Sequence, residues 1–337
     1  MRRAAMYIGA GLLGLVFLAL VLAGAFVART KQLAKRPIEA PYPDIELSTD
    51  PEVLARGEYL VWNVVGCDKC HLPKDQQRRD PADRHPLQGG WKLSVEGLGS
   101  MEFPNITPDP VHGIGRYEPR EVARALTVGV MPDGTFGMTM AGTIGDMSDD
   151  DLQAIVSWLY VQEPVPNDIE PPTMGIVLDI ITVWVLGLEV DKLPVADPAP
   201  PIGPTVERGA YLARGPSNCV GCHSPRDMSF QLVPDQHFGG CSMAQDVYGD
   251  PPGMVTCAPN LTPDPETGYI ARWTEEMFVS RMRAGRGVPD SNMPWEAFSG
   301  LHEDDLRALY HYFRTLEPVS NDTGPTYRSR DWTPDEP

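Results

Sequence analysis

The hydrophobic pattern begins with an uncharged run of 25 residues, Ala4 to Ala28, with basic residues on both sides. About 20 apolar residues span a bilayer, whereas the apolar region of a secretory signal is only about 7–15 residues long. Residues 1–36 are therefore predicted to form an N-terminal membrane anchor with one transmembrane helix. A cleaved signal peptide is the alternative, because Ala23-Gly24-Ala25 has the small-x-small form of a cleavage site.

Further along, apolar residues recur at helical spacing after residues that can cap a helix. Ser148 is predicted to cap one helix, with Asp151 at the capping-box position, and Thr274 to open another. The inward-facing residues expected on these two helices and on a third are Leu152, Ile155, Val156 and Leu159; Met277, Phe278 and Met282; and Leu306, Leu309, Tyr310 and Phe313. Stretches rich in Pro, Gly and Asp at 81–115 and 225–272 are predicted to be loops. The expected fold class is all-α.

Several short motifs occur twice in the same order, at offsets of 152 to 155 residues. They are Arg-Gly-x-Tyr-Leu at 56 and 208, Cys-x-x-Cys-His at 67 and 219, Pro-Asn-x-Thr-Pro-Asp at 104 and 259, Asp-Leu at 151 and 305, and Glu-Pro-Val at 163 and 317. This similarity indicates a duplicated unit of about 115 residues, the size of one small domain. We define the first repeat as residues 51–166 and the second repeat as residues 204–320.

A proline-rich linker, residues 167–203, joins the repeats, and residues 321–337 form a C-terminal tail. The centre of the linker, Met174 to Leu188, is apolar but too short to span a membrane. Two interpretations are open for this segment. It is either a strut packed between the repeats or a segment that lies on the membrane or against a partner subunit.

Each repeat contains a Cys-x-x-Cys-His motif, the attachment signature of c-type haem. Two thiols three residues apart on one helical turn can each form a thioether to the same porphyrin, and the adjacent His then lies under the iron. The expected attachment residues are Cys67, Cys70, Cys219 and Cys222, with His71 and His223 as iron ligands. A dithiol redox motif and half of a zinc site are the alternatives. Neither explains a His after both motifs or an export segment in front of them.

Together with the Pro-Asn-(Ile/Leu)-Thr-Pro-Asp loop and a Met before the Asp-Leu helix, these motifs resemble those of class I cytochromes c. The nearest resemblance is to the cytochrome c subunits of membrane-bound bacterial alcohol, gluconate and aldehyde dehydrogenases, and it covers residues 51–320. It implies two tandem class I cytochrome c domains with long loops and two covalently bound haem c groups. Subunits of that family commonly carry three haems, whereas this sequence has two attachment motifs.

The resemblance also implies a methionine sulfur as the second axial ligand of each iron. In the second repeat, Met293-Pro294-Trp295 matches the Met-Pro-aromatic motif of the family. In the first repeat, the offset of 154 residues places Thr139 opposite Met293, and Met138 and Met140 lie on either side of it. We choose Met140 because its distance from Asp133-Gly134 is closer to the family's usual spacing, and Met138 is the alternative.

Four further residues carry expectations. Asn105 and Asn260, in the repeated Pro-Asn loop, are expected to brace the haem edge as the resembling loops do, the simpler alternative being an Asx-turn cap. Cys241 and Cys257 lie in a stretch that the sequence suggests is an insertion found only in the second repeat. In an oxidising compartment a disulfide between them is expected, with an axial thiolate from one of them as the alternative.

Charge and composition narrow the classes of function. Residues 1–36 hold six basic and no acidic residues, so the remainder has 22 basic against 46 acidic residues, a net charge of −24. That sign excludes sequence-independent binding to nucleic acid. A hydrophobic content of 42% excludes a mostly disordered chain.

Ligation of iron by both His and Met raises the haem potential and leaves no coordination position for a substrate. The expected function is therefore electron relay by a single-pass protein of the bacterial cytoplasmic membrane, with the bulk of the chain in the periplasm. The expected partners are redox proteins: a membrane dehydrogenase or quinol-oxidising complex as donor, and an oxidase or soluble cytochrome as acceptor. The alternatives are a dihaem enzyme of the cytochrome c peroxidase or thiosulfate dehydrogenase type, and a fixed haem subunit of a terminal oxidase or photosynthetic complex.

Overall fold

The structure is a computed structural model, and it describes residues 2–78, 80–95, 99–137, 146–186, 190, 193, 197–227, 231–241, 245–246, 253–288 and 291–333. Its helices are α1 (Arg2–Ala34), α2 (Pro51–Tyr59), α3 (Asp68–His71), α4 (Pro119–Val128), α5 (Asp149–Tyr160), α6 (Ile176–Ile180), α7 (Val206–Arg214), α8 (Cys219–Cys222), α9 (Glu275–Arg283), α10 (Trp295–Phe298) and α11 (Glu303–Arg314). π-Helical segments follow α2 and α6 directly, at Leu60–Val65 and Ile181–Leu186. The strands are β1 (Lys92–Val95), β2 (Gly99–Glu102), β3 (Thr173–Met174), β4 (Gln245–Asp246), β5 (Met254–Thr256) and β6 (Tyr327–Ser329). The fold is thus mainly helical, as the sequence predicts.

The first and last helices of each repeat cross at a glycine. At Gly57 in α2, an added Cβ would lie 2.0 Å from the carbonyl oxygen of Ala154 in α5. At Gly209 in α7, an added Cβ would lie 2.0 Å from the carbonyl oxygen of Ala308 in α11. Only glycine lets the two helices of each pair approach this closely, so the repeated Arg-Gly-x-Tyr-Leu motif is a helix-crossing site.

The predicted caps and apolar stripes are largely confirmed. Ser148 caps α5 by accepting a hydrogen bond from the Asp151 amide at 3.2 Å, and Thr274 caps α9 through the Met277 amide. The apolar stripe of α5 is buried throughout. The prediction is wrong for the Met277 side chain, which is 50% exposed. Its neighbour Phe278 takes the inward direction, and one residue along a helix turns the side chain by about 100°.

The prediction of loops at 81–115 and 225–272 is also wrong in part, because short strands form in both stretches. Among the described residues these strands belong to antiparallel sheets of order β1-β2-β3 and β4-β5-β6. The third strand of each sheet comes from the chain after the repeat: β3 from the linker and β6 from the tail. The strands are two to four residues long, and β1, Lys92-Leu93-Ser94-Val95, alternates polar and apolar residues over just four positions. The third strand of each sheet pairs with a segment more than 70 residues away, which local sequence does not reveal.

A buried ion pair joins the first and last helices of each repeat. Arg56 in α2 donates two hydrogen bonds to Asp151 in α5, at 2.8 and 2.7 Å. Arg208 in α7 does the same to Asp305 in α11, at 2.7 and 3.1 Å, and both of these side chains are almost completely buried. A buried carboxylate needs such a partner, since burial without one is costly.

The same two carboxylates also join the repeats to each other. The Tyr59 hydroxyl of the first repeat donates to Asp305 of the second repeat at 2.6 Å. The Tyr211 hydroxyl of the second repeat donates to Asp151 of the first repeat, also at 2.6 Å. The repeats therefore exchange equivalent hydrogen bonds across their interface. We call these six residues, Arg56, Tyr59, Asp151, Arg208, Tyr211 and Asp305, the crossed network.

The membrane-length helix and the apolar part of the linker are neighbours. Gly11–Ala34, within α1, is long and apolar enough to cross a membrane, with a mean hydropathy of 2.6, and a signal sequence would have the same properties. Trp184, in the π-helical segment after α6, stacks on Phe26 and donates a hydrogen bond to Thr30. The apolar linker segment thus packs on α1, which differs from the predicted strut between the repeats.

Cys241 and Cys257 form a disulfide, as expected, with Cα atoms 5.6 Å apart. The prediction that this whole stretch is an insertion is wrong, because both ends have counterparts in the first repeat, although the second repeat is four residues longer between them. The Cys241 amide donates to the carbonyl of Ala258, and in the first repeat the Gly90 amide donates to the carbonyl of Phe103 in the corresponding position. The disulfide therefore closes the counterpart of the β1–β2 region, where the first repeat stacks Trp91 on Phe103 instead.

We expect substitutions in the crossed network to lower the free energy of unfolding by different amounts. Asp305→Asn leaves the buried Arg208 guanidinium without a counter-charge, so we expect it to lower the free energy of unfolding by about 3–5 kcal/mol. Tyr59→Phe removes one hydrogen bond to a carboxylate, and we expect a loss of about 1.5–3 kcal/mol. The midpoint of urea unfolding, followed by circular dichroism, measures both effects.

Asp304→Asn is the matched control, because Asp304 is the adjacent carboxylate in α11 and is exposed. We expect it to change stability by less than about 0.5 kcal/mol. Burial alone would raise the pKa of Asp305, but the hydrogen bonds and charge of Arg208 hold that pKa below its usual range. The stabilisation by this pair is therefore present above about pH 4 and is lost as the pH falls. Equal stabilities of Asp305→Asn and Asp304→Asn would contradict this account.

Candidate metal centres

Each Cys-x-x-Cys-His motif begins after a residue with left-handed backbone conformation. Gly66 has a φ of 70° and Asn218 a φ of 45°, and they occupy the same position in the two repeats. Glycine and asparagine tolerate this conformation better than other residues do. The turn leads directly into α3 and α8, one-turn helices that carry the motif residues. The two motifs therefore have the same local geometry, as the duplication predicts.

The motif histidines are held so that one ring nitrogen remains available. Nδ1 of His71 lies 2.8 Å from the carbonyl oxygen of Pro104, and Nδ1 of His223 lies 2.8 Å from that of Pro259. A carbonyl only accepts hydrogen bonds, so Nδ1 carries the proton and Nε2 keeps its lone pair. Burial lowers the pKa of both imidazoles, against the raising effect of the hydrogen bond. Both rings are therefore neutral and oriented, which is the state in which histidine binds a metal.

The repeated asparagines fix the loop that supplies these carbonyls. Asn260 is fully buried, and its Oδ1 accepts hydrogen bonds from the amide and hydroxyl of Thr262 at 2.9 and 2.7 Å. Its Nδ2 donates to the carbonyl of Val319 at 2.7 Å. Asn105 makes the same set of contacts in the first repeat. These contacts include the Asx turn, which was the simpler alternative to bracing a haem edge. Contact of either asparagine with a haem edge stays a prediction.

Met293 lies in a loop that two arginines brace. Arg286 donates two hydrogen bonds to Glu296 in α10, at 2.8 and 2.7 Å, and a third to the carbonyl of Ser291. Arg281 stacks over the ring of Trp295, with its guanidinium carbon 3.8 Å from the ring centroid. Met293 itself is partly buried against the hydrophobic core. The loop therefore holds a thioether side chain in a defined position.

The first motif lies against this loop of the second repeat. A Cβ built on Gly66 would lie 3.1 Å from the Cβ of Ala297, and a cavity of about 800 Å³ opens between the two repeats at this point. Asp68 and Lys69 of the first motif line the cavity together with Asn292, Pro294 and Glu296. The first candidate centre and the methionine loop of the second are therefore adjacent in space.

The donor set fits covalently bound haem better than zinc. Within the described ranges no three His, Cys, Asp or Glu side chains converge as a metal cluster would require. The motif cysteines are unbridged, and burial raises the pKa of Cys70 to about 11 and that of Cys219 to about 12. Two thiols and an oriented imidazole on one turn suit attachment to a porphyrin, whereas a structural zinc site needs four converging ligands.

The axial methionine of the first repeat is not assigned by the described residues. Met140, the chosen ligand, and Met138, its alternative, both lie outside the described residues. Met293, by contrast, is described and lies two residues before α10. The assignment of a first-repeat methionine therefore stays a prediction.

Comparison with known proteins gives consistent matches. The chain is 29% identical over 290 residues to the cytochrome c subunit of the quinone-dependent alcohol dehydrogenase of Gluconobacter oxydans, covering 80% of this chain and 56% of that subunit. It resembles the cytochrome c subunits of bacterial dehydrogenases. It is 26% identical to the gluconate 2-dehydrogenase cytochrome c subunit of Pantoea cypripedii, over 78% of this chain and 59% of that subunit. A dihaem c-type cytochrome of Cereibacter sphaeroides is 27% identical over 81% of this chain and 91% of its own length. No family model matches the chain.

The chain thus spans little more than half the length of the dehydrogenase subunits it matches. Similarity to cytochrome c proteins implies covalently bound haem c, and it agrees with the motif geometry described above. The resemblance drawn from the motifs is therefore confirmed.

Sequence reasoning missed several residues that hold the candidate centres in place. The carbonyls of Pro104 and Pro259 had no assigned role, although both residues belong to a repeated motif. The crossed network was also missed, although Tyr59 and Tyr211 recur at the same offset as the cysteines. Recurrence of a polar residue at the offset of a functional motif is the signal that could have identified them. Arg286 has no such signal.

The buried asparagines generate a prediction about the loop that orients each histidine. We expect Asn260→Ala to lower the free energy of unfolding by about 2 kcal/mol, because it leaves the buried Thr262 amide and Val319 carbonyl without their partner. We also expect the Thr262 amide to exchange faster with deuterium, as measured by mass spectrometry. Asn321→Ala, which removes one hydrogen bond to Gly239, is the control and should leave Thr262 exchange unchanged. Unchanged exchange in Asn260→Ala would show that the loop does not depend on this residue.

Proposed function

We propose that the chain is a membrane-anchored dihaem c-type cytochrome that relays single electrons on the periplasmic side of the bacterial cytoplasmic membrane. The observation that carries this proposal is the pair of Cys-x-x-Cys-His motifs, each with its His Nδ1 held by a proline carbonyl at 2.8 Å. Similarity to a dihaem cytochrome over nine-tenths of that protein's length supports two groups per chain.

The residues of the two motifs have complementary roles in this proposal. Each haem c, once attached, supplies a one-electron iron couple. The cysteines hold it covalently: Cys67 and Cys70 in the first repeat, and Cys219 and Cys222 in the second. His71 and His223 provide the proximal nitrogen, and their hydrogen bonds to proline carbonyls increase the basicity of that nitrogen.

A methionine sulfur would be the second protein ligand at each centre. Met293 is the proposed ligand in the second repeat, supported by its braced loop, and Met140 in the first, with Met138 as the alternative. With two protein ligands, each iron would have no position left for a small substrate. This is the physical reason for proposing a carrier over an enzyme, because peroxidase chemistry needs an open or displaceable position.

The repeat organisation and the partners are part of the same proposal. Residues 51–166 and 204–320 are proposed to be tandem class I cytochrome c domains, with residues 1–36 as the anchor. Because the matched relatives are named as subunits of dehydrogenases, a membrane dehydrogenase or a quinol-oxidising complex is the proposed donor. An oxidase or soluble cytochrome is the proposed acceptor. A net charge of −24 outside the anchor favours fast, salt-sensitive encounters with a basic docking surface.

Stopped-flow spectroscopy of the purified full chain tests this function. We expect both haems to be reduced by an artificial donor and reoxidised by a basic soluble cytochrome. The reoxidation rate should fall as ionic strength rises, because salt screens charges beyond about 8 Å at physiological concentration. We expect no steady turnover of hydrogen peroxide or thiosulfate.

Met293→Ala serves as the internal control for the ligand assignment. It should remove part of the red charge-transfer band of iron–methionine bonding and lower the potential of one haem, with the other unchanged. Met277→Ala, at an exposed position of the second repeat, should leave the band and both potentials unchanged. Steady peroxidase or thiosulfate-oxidising activity of the wild-type chain, lost when one axial methionine is replaced, would contradict the carrier assignment.

A further inference from the structure

An apolar segment of the linker lies beside the carboxyl end of α1. Ile176–Val185 is an apolar helical stretch that starts two residues after Met174 in β3. Its Trp184 ring stacks on Phe26 of α1 with centroids 5.7 Å apart, and the Trp184 indole N–H donates to the Thr30 hydroxyl at 2.9 Å. The segment is therefore docked on α1 by both an aromatic and a polar contact.

These contacts fall where the uncharged run of α1 ends. Phe26 belongs to that run, and Thr30 follows its first flanking charge, Arg29. A helix rises about 1.5 Å per residue, so both contacts lie within roughly one turn of the boundary at Ala28. If α1 crosses a bilayer, this boundary is the membrane–water interface, where tryptophan concentrates in membrane proteins.

The outer face of the segment exposes apolar side chains. Met174, Val177, Trp184 and Val185 are 40–51% exposed. The carboxylate within the segment, Asp179, is buried, so the exposed face is apolar and uncharged. Exposed apolar side chains next to a membrane-length helix need a cover that is itself apolar.

We propose that Ile176–Val185 is a second membrane contact, lying in the headgroup–acyl boundary of the bilayer that α1 crosses. The proposal rests on the proposed membrane anchor. Lipid is the expected cover because the segment packs on α1, lies at the depth of its charged boundary and exposes an uncharged apolar face. These are the properties of an interfacial, monotopic segment.

Two connections join α1 and the apolar linker segment to the first repeat. The Ile38 amide, just after α1, donates to the carbonyl of Gly134 at 2.8 Å. On the other side, β3 pairs with β2, with Met174 opposite Gly99. The first repeat is thus attached to the membrane-facing elements at two points, which fixes its orientation relative to the bilayer more firmly than one flexible connection would.

Depth-dependent quenching in lipid nanodiscs tests the proposal. Full-length haem-loaded variants Val177→Cys and Val185→Cys carry an environment-sensitive fluorophore, and phosphatidylcholine nanodiscs contain or lack a lipid with a nitroxide at a shallow acyl position. The native cysteines do not react, because in the proposed holoprotein four are thioether-linked and Cys241 and Cys257 are bridged. We expect both labels to lose most of their fluorescence in the presence of the nitroxide lipid, and their emission to shift to shorter wavelength.

Two further labels make the outcomes separable. Met277→Cys, half-exposed on the second repeat, should keep its fluorescence. Phe17→Cys is exposed in the middle of α1, about 16 Å from the boundary at Ala28, so it is measured in nanodiscs whose nitroxide is at a deep acyl position and reports the anchor itself. Quenching at 17 without quenching at 177 and 185 overturns the interfacial contact and leaves the anchor intact. Absence of quenching at 17 removes the anchor, and with it the basis of this inference.

Discussion

Asp151 and Asp305 are buried carboxylates, and two levels of the structure depend on satisfying them. An ionised carboxylate in a protein interior must be paired and hydrogen-bonded, or it destabilises the fold. The arginine that pairs with each aspartate comes from the first helix of the same repeat. The tyrosine that completes its hydrogen bonding comes from the other repeat. Helix pairing within a repeat and docking between repeats are therefore coupled through Oδ2 of each carboxylate, which accepts from both the arginine and the tyrosine.

The same hydrogen bonds also fix the position of the first motif relative to the Met293 loop. Tyr59 ends α2, and a π-helical segment leads from it to Gly66 and the first motif. Asp305 lies in α11, which follows α10 and the Met293 loop. Holding Tyr59 on Asp305 therefore holds the first motif against the methionine loop of the second repeat. Since the rate of electron transfer falls steeply with distance, a fixed interface between the repeats is what a two-centre relay requires.

The sequence was sufficient for features that depend on local pattern or on recurrence. The membrane-length helix, the cap at Ser148, the stripe of α5 and the duplicated Cys-x-x-Cys-His motifs follow from spacing and charge alone. The short strands did not, because β3 and β6 pair with segments more than 70 residues away and have too few residues to show a pattern. The position of Trp184 on α1 and the exchange of Tyr59 and Tyr211 between repeats are also tertiary facts. Local propensity does not show whether the apolar linker segment packs on α1 or between the repeats.

The central claim is that each repeat binds one haem c through its own pair of cysteines. The most direct test is the haem content of the purified full chain, measured as the pyridine haemochrome after acid–acetone extraction, which removes haem that is not covalently attached. We expect two covalent haems per wild-type chain and one in the double variant Cys219→Ala and Cys222→Ala. One covalent haem in the wild-type chain, or two in the double variant, would contradict it.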